Sequence, residues 1–512
     1  MRRLLALLLA GCLFLGLTGC NADPPEPAES AEPSPTPTPT QAVQSARFSL
    51  GYDPTAPLHP ITGSSQVNQD LTGLVYQCLY ELDNDFTPQP VLARSASVSE
   101  DGLTWTFTLD PGAVFSNGAS LTAQHAADAL NAARTSALYG GRLAQVTGAW
   151  AGEDGALYVS LSAPNGALPA LLDIPVVLEQ EEGPPLGSGY YCYETAGDNL
   201  FLRANPLHAH AAALPYDVIP LTPVTNAAER IAAFDSGSIT AVTTDFSGAY
   251  ALSYSSSYET CDYPTTTLIY VGFRTASGPC RSPLVRRAFA QCFDRDGLVR
   301  VLLSGHGDPA LLPVHPRLSG GAGETLAFDP ESAAALLEQA GYTRNEEDGL
   351  LYLGNTPLSV TLLVNSDNET RQRMAEQLAL SLQELGVTVT VDRPAWKDFN
   401  AALASGSFDL YIGEVQLTGD LDPSVLLTGT LNYGGFDSAE TVQALWTWQA
   451  ASGPARNQAA RQLWTLLEQE VPVAALCFKR GSLLVRWGMA SDLTPTRANP
   501  FYRMEGWTTT GP

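Results

Sequence analysis

The chain has 512 residues, of which 45% are hydrophobic, and its 27 basic and 53 acidic residues give a formal net charge of −26 at pH 7. An acidic excess this large argues against nucleic acid or an anionic lipid surface as a partner. The length is well beyond the size at which a single hydrophobic core stops growing, so two or more lobes are expected.

The N-terminal segment has the pattern of an export signal. A basic start, MRR, precedes an apolar run over residues 4–17, which is shorter than the roughly 20 residues that a membrane-spanning helix needs. The run ends in LTGC, residues 17–20, which resembles the lipobox of bacterial lipoproteins, where the cysteine sulfur takes a diacylglycerol. We therefore predict a signal peptide over residues 1–19 and lipid attachment at Cys20, on the outer face of the cell membrane. An ordinary secretory cleavage site with a chance cysteine is the alternative.

A segment rich in proline and threonine follows, over residues 20–45, and it contains almost no large apolar side chain. This composition favours an extended, polyproline-like conformation and cannot build a core. We predict a disordered tether that holds the folded part of the chain away from the lipid surface.

The first part of the folded region mixes strand and helix patterns. Strands are predicted at residues 47–52, 103–109 and 157–161, and helices over residues 68–82 and after the cap Thr122. His125, His208 and His210 stand alone in this region, and solvated or core positions explain them better than metal ligation.

The stretch from residue 266 to residue 305 changes structural character twice and is interpreted as a crossing between two lobes. Residues 267–273 form a β-branched and aromatic run that predicts a buried strand. Ser282 and Pro283 are typical of a helix start, and Asp296 is the predicted N-cap of a second helix that ends at Gly305.

Beyond the crossing, helices and strands take turns, which indicates an α/β lobe with a largely parallel sheet. Helices are predicted to begin at Pro330 and to span residues 369–385, 396–403 and 459–470, and strands are predicted at residues 358–364, 387–391, 408–413 and 473–478.

Two stretches carry a resemblance to a known family: YVGFRT…SPLVRRAFAQCFDRDGLVRVLLSGHGDPALLPVHP, at the crossing, and LVYQCLYELDNDFTPQPVLARSASVSEDGLTWTFTLDPGAVFSNGASLTAQHAADAL, before it. They are similar to the extracellular solute-binding proteins of family 5, the peptide- and nickel-binding receptors of ABC importers. The resemblance implies an α/β, two-lobed, periplasmic-binding-protein-like fold (type II, cluster C), a Venus flytrap with an extra subdomain in the N-terminal lobe.

The resemblance also implies lobe boundaries. The N-terminal lobe is expected over residues 46–268, with an inserted subdomain at about residues 82–186, and the C-terminal α/β lobe over residues 269–477. Residues 478–512 are expected to return to the N-terminal lobe. Two crossings of this kind would make a hinge.

The ligand site is expected in the stretch FDLYIGEVQLTGDLDPSVLLTGTLNYGGF, residues 408–436. In peptide-binding members of the family an acidic residue in this loop pairs with the α-ammonium of the ligand, and Asp420 is the match. The remaining candidate ligand-binding residues are Glu414, Trp396, Asn432, Tyr433 and Arg274. Each has a structural alternative: Asp420 could solvate its loop, and Trp396 could cover the sheet. Glu414 and Arg274 depart from the family pattern, and they suit a zwitterionic or bipolar ligand.

Six cysteines follow Cys20, and an exported protein permits disulfides between them. Cys261 and Cys280 flank the crossing strand and are the candidate pair. Free buried thiols are the open alternative.

The function predicted from these features is that of a non-enzymatic substrate-binding protein of an ABC importer. It would capture a short peptide or peptide-like solute, work as a monomer with a permease and ATPase, and need no cofactor or metal. A sensor or surface binding module of the same fold and an exported hydrolase are the alternatives, although no nucleophile elbow, His-Glu-x-x-His, Walker loop or Cys-x-x-Cys pair is present.

Overall fold

The computed structural model describes residues 48–246 and 254–509. The predicted signal peptide, the lipid attachment at Cys20 and the tether lie outside the described residues. In the part of the chain that is described, no helix combines the length and the apolar character needed to cross a bilayer.

The helices of the described residues lie on both sides of the crossing. They span Gln66–Asp70, Thr72–Val75, Ala123–Thr135, Ala227–Ser236, Pro283–Gln291, Arg295–Leu302, Pro316–Ser319, Pro330–Gln339, Glu369–Glu384, Trp396–Ser405, Ser424–Leu427, Ala439–Ala450 and Gly453–Glu470. Single 3-10 turns occur at Leu168–Leu171, Ala211–Ala213, Pro279–Arg281, Glu324–Leu326 and Met504–Gly506.

The N-terminal half of the chain builds two sheets of four strands and a hairpin. One sheet has the order Leu50–Tyr52, Val218–Pro223, Asn199–Ala204, Tyr191–Ala196. The other has the order Ala93–Val98, Thr104–Leu109, Leu157–Leu161, Val146–Ala151 and is antiparallel throughout. The hairpin pairs Tyr80–Leu82 with Pro88–Pro90.

The large mixed sheet is organised around two long antiparallel strands. Its order is Ala241–Thr244, Val473–Arg486, Tyr258–Phe273, Leu410–Gln416, Ser359–Leu363, Thr388–Asp392, with Gly307–Pro309 also pairing with Val473–Arg486. The outer pairings at Ser359–Leu363 are parallel, as expected where helices cover the connections. A small sheet combines Thr343–Arg344, Leu351–Leu353 and Thr356–Pro357.

Two large buried clusters lie at opposite ends of the two long strands. One cluster contains Ile269 and Val271 together with Ala474 and the apolar faces of the helices between residues 283 and 467. The other contains Leu483 and Val485 together with apolar residues of segments 48–241 and 490–507. Both strands therefore run from one core to the other, side by side, as the two crossings of a two-lobed fold do. The residue boundaries predicted for the lobes stay predictions.

Most of the predicted elements are confirmed within a few residues. The helix after Ser282 spans Pro283–Gln291, with proline in its first turn, and Thr122 caps Ala123–Thr135 in a capping box with His125. The crossing strand is longer than predicted and covers Tyr258–Phe273.

Two predicted helix features are wrong. The helix expected over residues 68–82 is broken into two short helices and a strand, although Leu71, Leu74 and Leu79 are buried as the periodicity required. The second helix after the crossing is capped by Asp294, which accepts from the Gly297 amide, and not by Asp296.

The candidate disulfide is also wrong. All six cysteines of the described region are free thiols. Cys261 Sγ lies 3.5 Å from the Leu493 carbonyl oxygen, whereas Cys280 is fully buried beyond the far end of the same strand, so the two sulfurs belong to different environments. Burial raises the pKa of both thiols, which disfavours the reactive thiolate form.

Candidate functional site

A polar cavity of about 540 Å³ lies beside the two long strands, where they pass from one core to the other. Tyr263 and Thr265 face it from one strand, and Lys479 and Arg480 face it from the other. The remaining walls come from the first two short helices, the loops after the helices Ala123–Thr135 and Leu168–Leu171, the helix Ala227–Ser236 through Arg230, the strand end at 243–245, Gln416 and the segment 497–500. This volume lies in the range of small-molecule sites.

One corner of the cavity holds two guanidinium groups and a single carboxylate. Arg142 Nη1 lies 2.7 Å from Asp173 Oδ1, and the Arg142 guanidinium also lies 4.6 Å from the ring centre of Tyr139. Arg497 carries the second guanidinium of this corner, and burial lowers its pKa. The nearby Asp173 carboxylate favours the charged form of Arg497, and the Arg142 guanidinium opposes it. The corner thus carries more positive than negative charge.

Gln416 holds Arg497 from the end of the strand Leu410–Gln416. With the amide oriented so that its oxygen faces the guanidinium, Gln416 accepts from Arg497 Nη2 at 2.8 Å and from Nε at 3.3 Å. Because this partner is neutral, it orients the guanidinium without balancing its charge.

A second acidic group of the cavity wall is Asp70. Its carboxylate accepts hydrogen bonds from Thr243 and from Gln66 Nε2 (2.8 Å), and burial raises its pKa. Arg230 lies near enough to favour the ionised form, but the Arg230 Nε is buried without a hydrogen-bond partner among the described residues.

The two basic residues on the strand Val473–Arg486 are each paired with carboxylates. Lys479 Nζ lies 2.5 Å from Asp245 Oδ2 and 3.9 Å from Glu414 Oε1. Arg480 is bound to Asp308, with 2.5 Å from Nη2 and 3.1 Å from Nε to the same oxygen. These pairs fix the strand side chains along the cavity wall.

Of the residues predicted from sequence, Glu414 lies closest to this cavity, through its contact with Lys479. Asp420 lies elsewhere, 8% exposed, and accepts from Thr418 Oγ1 (2.5 Å) and Asn165 Nδ2 (3.3 Å). It packs in a contact between two chain segments and does not line the cavity.

The other predicted residues do not line the cavity either. Asn432 closes its own loop through hydrogen bonds with Leu427 and Phe436, and Tyr433 packs on Tyr411 at 6.0 Å between ring centres. Arg274 lies at the end of the crossing strand, where its backbone amide donates to Asp409 O.

Trp396 is 55% exposed and stacks on Phe399 in its own helix. The ligand-binding roles of all these residues stay predictions.

The residues that the sequence reading missed are Arg142, Asp173 and Arg497. None of them belongs to a recognisable motif, and Arg497 lies more than 300 positions after Arg142 and Asp173 in the chain. The available signal was the predicted return of residues 478–512 to the N-terminal lobe, which would bring Arg497 back beside the first lobe.

Among the described residues, no group of three or more histidine, cysteine or acidic side chains has the arrangement of a metal site.

The fold has two buried cores joined by two long strands, and a charged cavity beside those strands. This arrangement defines a periplasmic-binding-protein-like receptor of the two-lobed α/β class.

Comparison with known proteins gives the family. The sequence model of the bacterial extracellular solute-binding proteins, family 5, matches residues 87–437, and the chain belongs to this family. A curated relative, the glutathione-binding protein GsiB of Salmonella typhimurium, is 26% identical over 393 residues, covering 71% of this chain and 74% of GsiB.

Solved structures show the same fold. The nickel ABC transporter protein from Bacillus halodurans superposes with a TM-score of 0.74 at 18% identity, covering 88% of this chain and 97% of that one. The NikA protein from Brucella suis, in complex with Fe(III)-EDTA, gives 0.67 at 19% identity, covering 90% and 99%. The unliganded murein tripeptide-binding protein MppA gives 0.73 at 19% identity, covering 89% and 95%.

Proposed function

We propose that this protein is the membrane-anchored substrate-binding protein of an ABC importer and that it captures a short peptide or peptide-like solute. The observation that carries the proposal is the charged cavity of about 540 Å³ beside the two long strands that join the cores. A ligand held there would contact residues on both sides of the crossing, and its preference for the closed arrangement would shift the open–closed equilibrium.

The peptide assignment draws on the polar lining and on the names of relatives. Backbone groups and charged ends of a short peptide can use both carboxylates, such as Asp70, and guanidinium groups, such as Arg497. The relatives named above include a glutathione-binding protein and a murein tripeptide-binding protein. The predicted ligand contacts Glu414, Asp420, Trp396, Asn432, Tyr433 and Arg274 remain part of the proposal.

The experiment is native mass spectrometry of the protein purified under mild conditions, followed by a thermal-shift screen of peptides, amino acids, sugars and metal ions. We expect peptide-sized ligands to co-purify and short peptides to raise the melting temperature. Recovery of only sugars or metal ions would contradict the peptide assignment.

The proposal includes anchoring through Cys20, which rests on the LTGC pattern. Metabolic labelling with a fatty-acid analogue should mark the wild-type protein in bacterial cells and should not mark Cys20→Ser. Equal labelling of both proteins would contradict the assignment. The lobe boundaries, the monomeric state and the partnership with a permease and ATPase belong to the same proposal.

We also propose that the protein is not an enzyme. Ser482, Asp262 and His306 come together at the crossing strands, but Ser482 Oγ donates to Asp262 Oδ1 (2.6 Å) while His306 Nδ1 lies 2.8 Å from Asp262 Oδ2. The carboxylate separates the hydroxyl from the imidazole, so the histidine cannot act as the base that activates this serine. Peptide hydrolysis abolished by Ser482→Ala would contradict this.

A further inference from the structure

We infer that the cavity selects acidic ligands: short peptides or peptide-like solutes of net negative charge, with a carboxylate held by Arg497 and Arg142. The inference rests on the proposed function and names the ligand class of the same site. Its starting point is the lining, which has five basic side chains (Arg142, Arg230, Lys479, Arg480 and Arg497) and three acidic ones (Asp70, Asp173 and Asp245). The whole chain has the opposite balance, with 27 basic and 53 acidic residues.

Three of these five basic side chains form an ion pair with a carboxylate. Lys479 and Arg480 are paired with Asp245 and Asp308, and Arg142 with Asp173. Arg230 forms no ion pair within 4.0 Å among the described residues, but its charge favours the ionised form of the Asp70 carboxyl.

Arg497 differs from the three paired side chains. Among the described residues it forms no ion pair within 4.0 Å, and its side-chain partner is the neutral amide of Gln416. The excess positive charge of the cavity therefore lies at Arg230 and at Arg497, and Arg497 shares its corner with a second guanidinium group, that of Arg142.

The surroundings of Arg497 make an unpaired guanidinium costly. Burial lowers its pKa, and the nearby Arg142 repels it while competing for Asp173. The Arg142 Nε is itself buried without a hydrogen-bond partner among the described residues. A half-buried cation without an ion-pair partner destabilises the site, and a carboxylate from outside would relieve this cost. A guanidinium can bind a carboxylate through two parallel hydrogen bonds.

The carboxylates of the cavity cannot balance a cationic ligand in the same way. Asp173 and Asp245 are each occupied by an ion pair, and Asp70 accepts from Thr243 and Gln66. A ligand ammonium would therefore meet carboxylates that already have partners, whereas a ligand carboxylate would meet an unbalanced guanidinium. Ligands with more carboxylates than ammonium groups therefore gain the most binding free energy in this cavity.

The test uses isothermal titration of the full mature protein with three peptides of equal length, Ala-Glu-Ala, Ala-Gln-Ala and Ala-Lys-Ala. We expect the dissociation constant to be lowest for Ala-Glu-Ala, by about tenfold relative to Ala-Gln-Ala, and highest for Ala-Lys-Ala. Amidation of the C-terminal carboxylate of Ala-Glu-Ala should weaken binding to the wild-type protein, which tests the same contact without changing the protein.

The matched variants are Arg497→Gln and Arg94→Gln. Arg94 is an exposed residue whose partner is Asp110, so its replacement should leave the preference unchanged. Arg497→Gln should weaken binding of Ala-Glu-Ala and reduce its advantage over Ala-Gln-Ala, and Arg497→Lys should restore part of both.

Equal or tighter binding of Ala-Gln-Ala or Ala-Lys-Ala would overturn the inference and leave the proposed function standing. Failure of all three peptides to bind would overturn the peptide assignment, and the inference with it.

Discussion

Two regions where distant parts of the chain meet differ sharply in packing. One is the packed contact, which we define as residues 165–170 against residues 419–422 and 449–451. There the Gly166 amide donates to Gln449 O at 2.7 Å, and Asn165 donates to Asp420. The other is the cavity, where distant chain segments also converge but enclose about 540 Å³.

The difference shows what makes a charged side chain available to a ligand. In the packed contact, Asp420 and Asp422 are satisfied within the protein: Asp420 accepts from Asn165 and Thr418, and Asp422 accepts from Gln449 Nε2 at 2.6 Å. Burial and the neighbouring Asp420 raise the pKa of Asp422. In the cavity, Arg497 faces open volume and, among the described residues, forms no ion pair within 4.0 Å.

The largest effect should come from forcing the packed contact apart with Gly166→Ala. A Cβ at this position would overlap the backbone carbonyl of Ala451, which cannot move as a flexible side chain could. Overpacking of this kind costs about 1–3 kcal/mol or more of unfolding free energy. Chemical denaturation followed by circular dichroism measures the loss.

The matched control is Gly506→Ala, because a Cβ at Gly506 meets no atom within 4 Å. Its stability should stay close to that of the wild-type protein. Equal stability of Gly166→Ala and Gly506→Ala would show that the packed contact yields easily, and the contrast with the cavity would disappear.

The next largest effect on stability is expected at Glu81, which holds Asn499 two residues after the cavity residue Arg497. Glu81 accepts from Asn499 Nδ2 at 3.1 Å, and burial raises its pKa from 4.5 to about 7. A carboxyl group whose pKa is raised on folding binds its proton more tightly in the native state, so its contribution to stability is lost as pH rises from about 4.5 to 7.

Glu81→Gln should therefore stabilise the protein at about pH 8, by up to ~3 kcal/mol, and should have little effect at about pH 4, below the unfolded-state pKa. Unfolding free energies of variant and wild type across this range measure the difference, with the exposed Glu100→Gln as control. A difference that does not change with pH would contradict the raised pKa of Glu81.

Much of the fold could be predicted because its signals are local. Ser282 followed by Pro283 marks a helix start that the structure confirms, and the alternation at residues 103–109 marks the strand Thr104–Leu109. The helix predicted over residues 68–82 is wrong because a 3.6-residue period of apolar side chains reports which residues are buried and does not fix the backbone conformation. The Asn68 side chain forms hydrogen bonds with the backbone of Asp53, and the strand Tyr80–Leu82 pairs with Pro88–Pro90. These tertiary contacts override the helical pattern of residues 68–82.

The cavity was less predictable than the fold because its charged corner has no local signal. Arg142 and Asp173 come from two loops of the first half, and Arg497 comes from the C-terminal segment. Sequence reasoning placed four of its six candidate residues in one contiguous stretch, residues 408–436, where a family pattern could be matched, and the other two, Trp396 and Arg274, do not line the cavity either. Of that stretch, Gln416 lines the cavity and Glu414 reaches it through Lys479.

A smaller effect is expected from Asn165→Ala in the packed contact. The change removes the donor to Asp420 and the acceptor of the Ala167 amide, which should cost about 1–2 kcal/mol of stability. Ligand affinity should stay unchanged, because Asn165 does not line the cavity. Denaturation and peptide titration of the same preparation measure both quantities.

The companion variant Asp420→Asn separates the two possible roles of that carboxylate. A loss of peptide affinity in Asp420→Asn that is absent from Asn165→Ala would confirm the predicted contact with the ligand ammonium. Equal affinities in the two variants would contradict that contact and leave Asp420 a residue of the packed contact.

The smallest change in peptide affinity is expected from Trp396→Ala. Trp396 is aromatic and exposed and lies outside both the packed contact and the cavity, so it tests whether the binding surface ends at the cavity. It is 55% exposed, and Trp446, on the helix Ala439–Ala450, is 56% exposed, so Trp446→Ala is a control of equal size and exposure. Because surface substitutions usually change free energies by no more than about 0.5 kcal/mol, both variants should keep peptide affinity within about twofold. A selective loss in Trp396→Ala would place this ring over the ligand, as predicted from sequence, and would mean that the binding surface extends beyond the cavity.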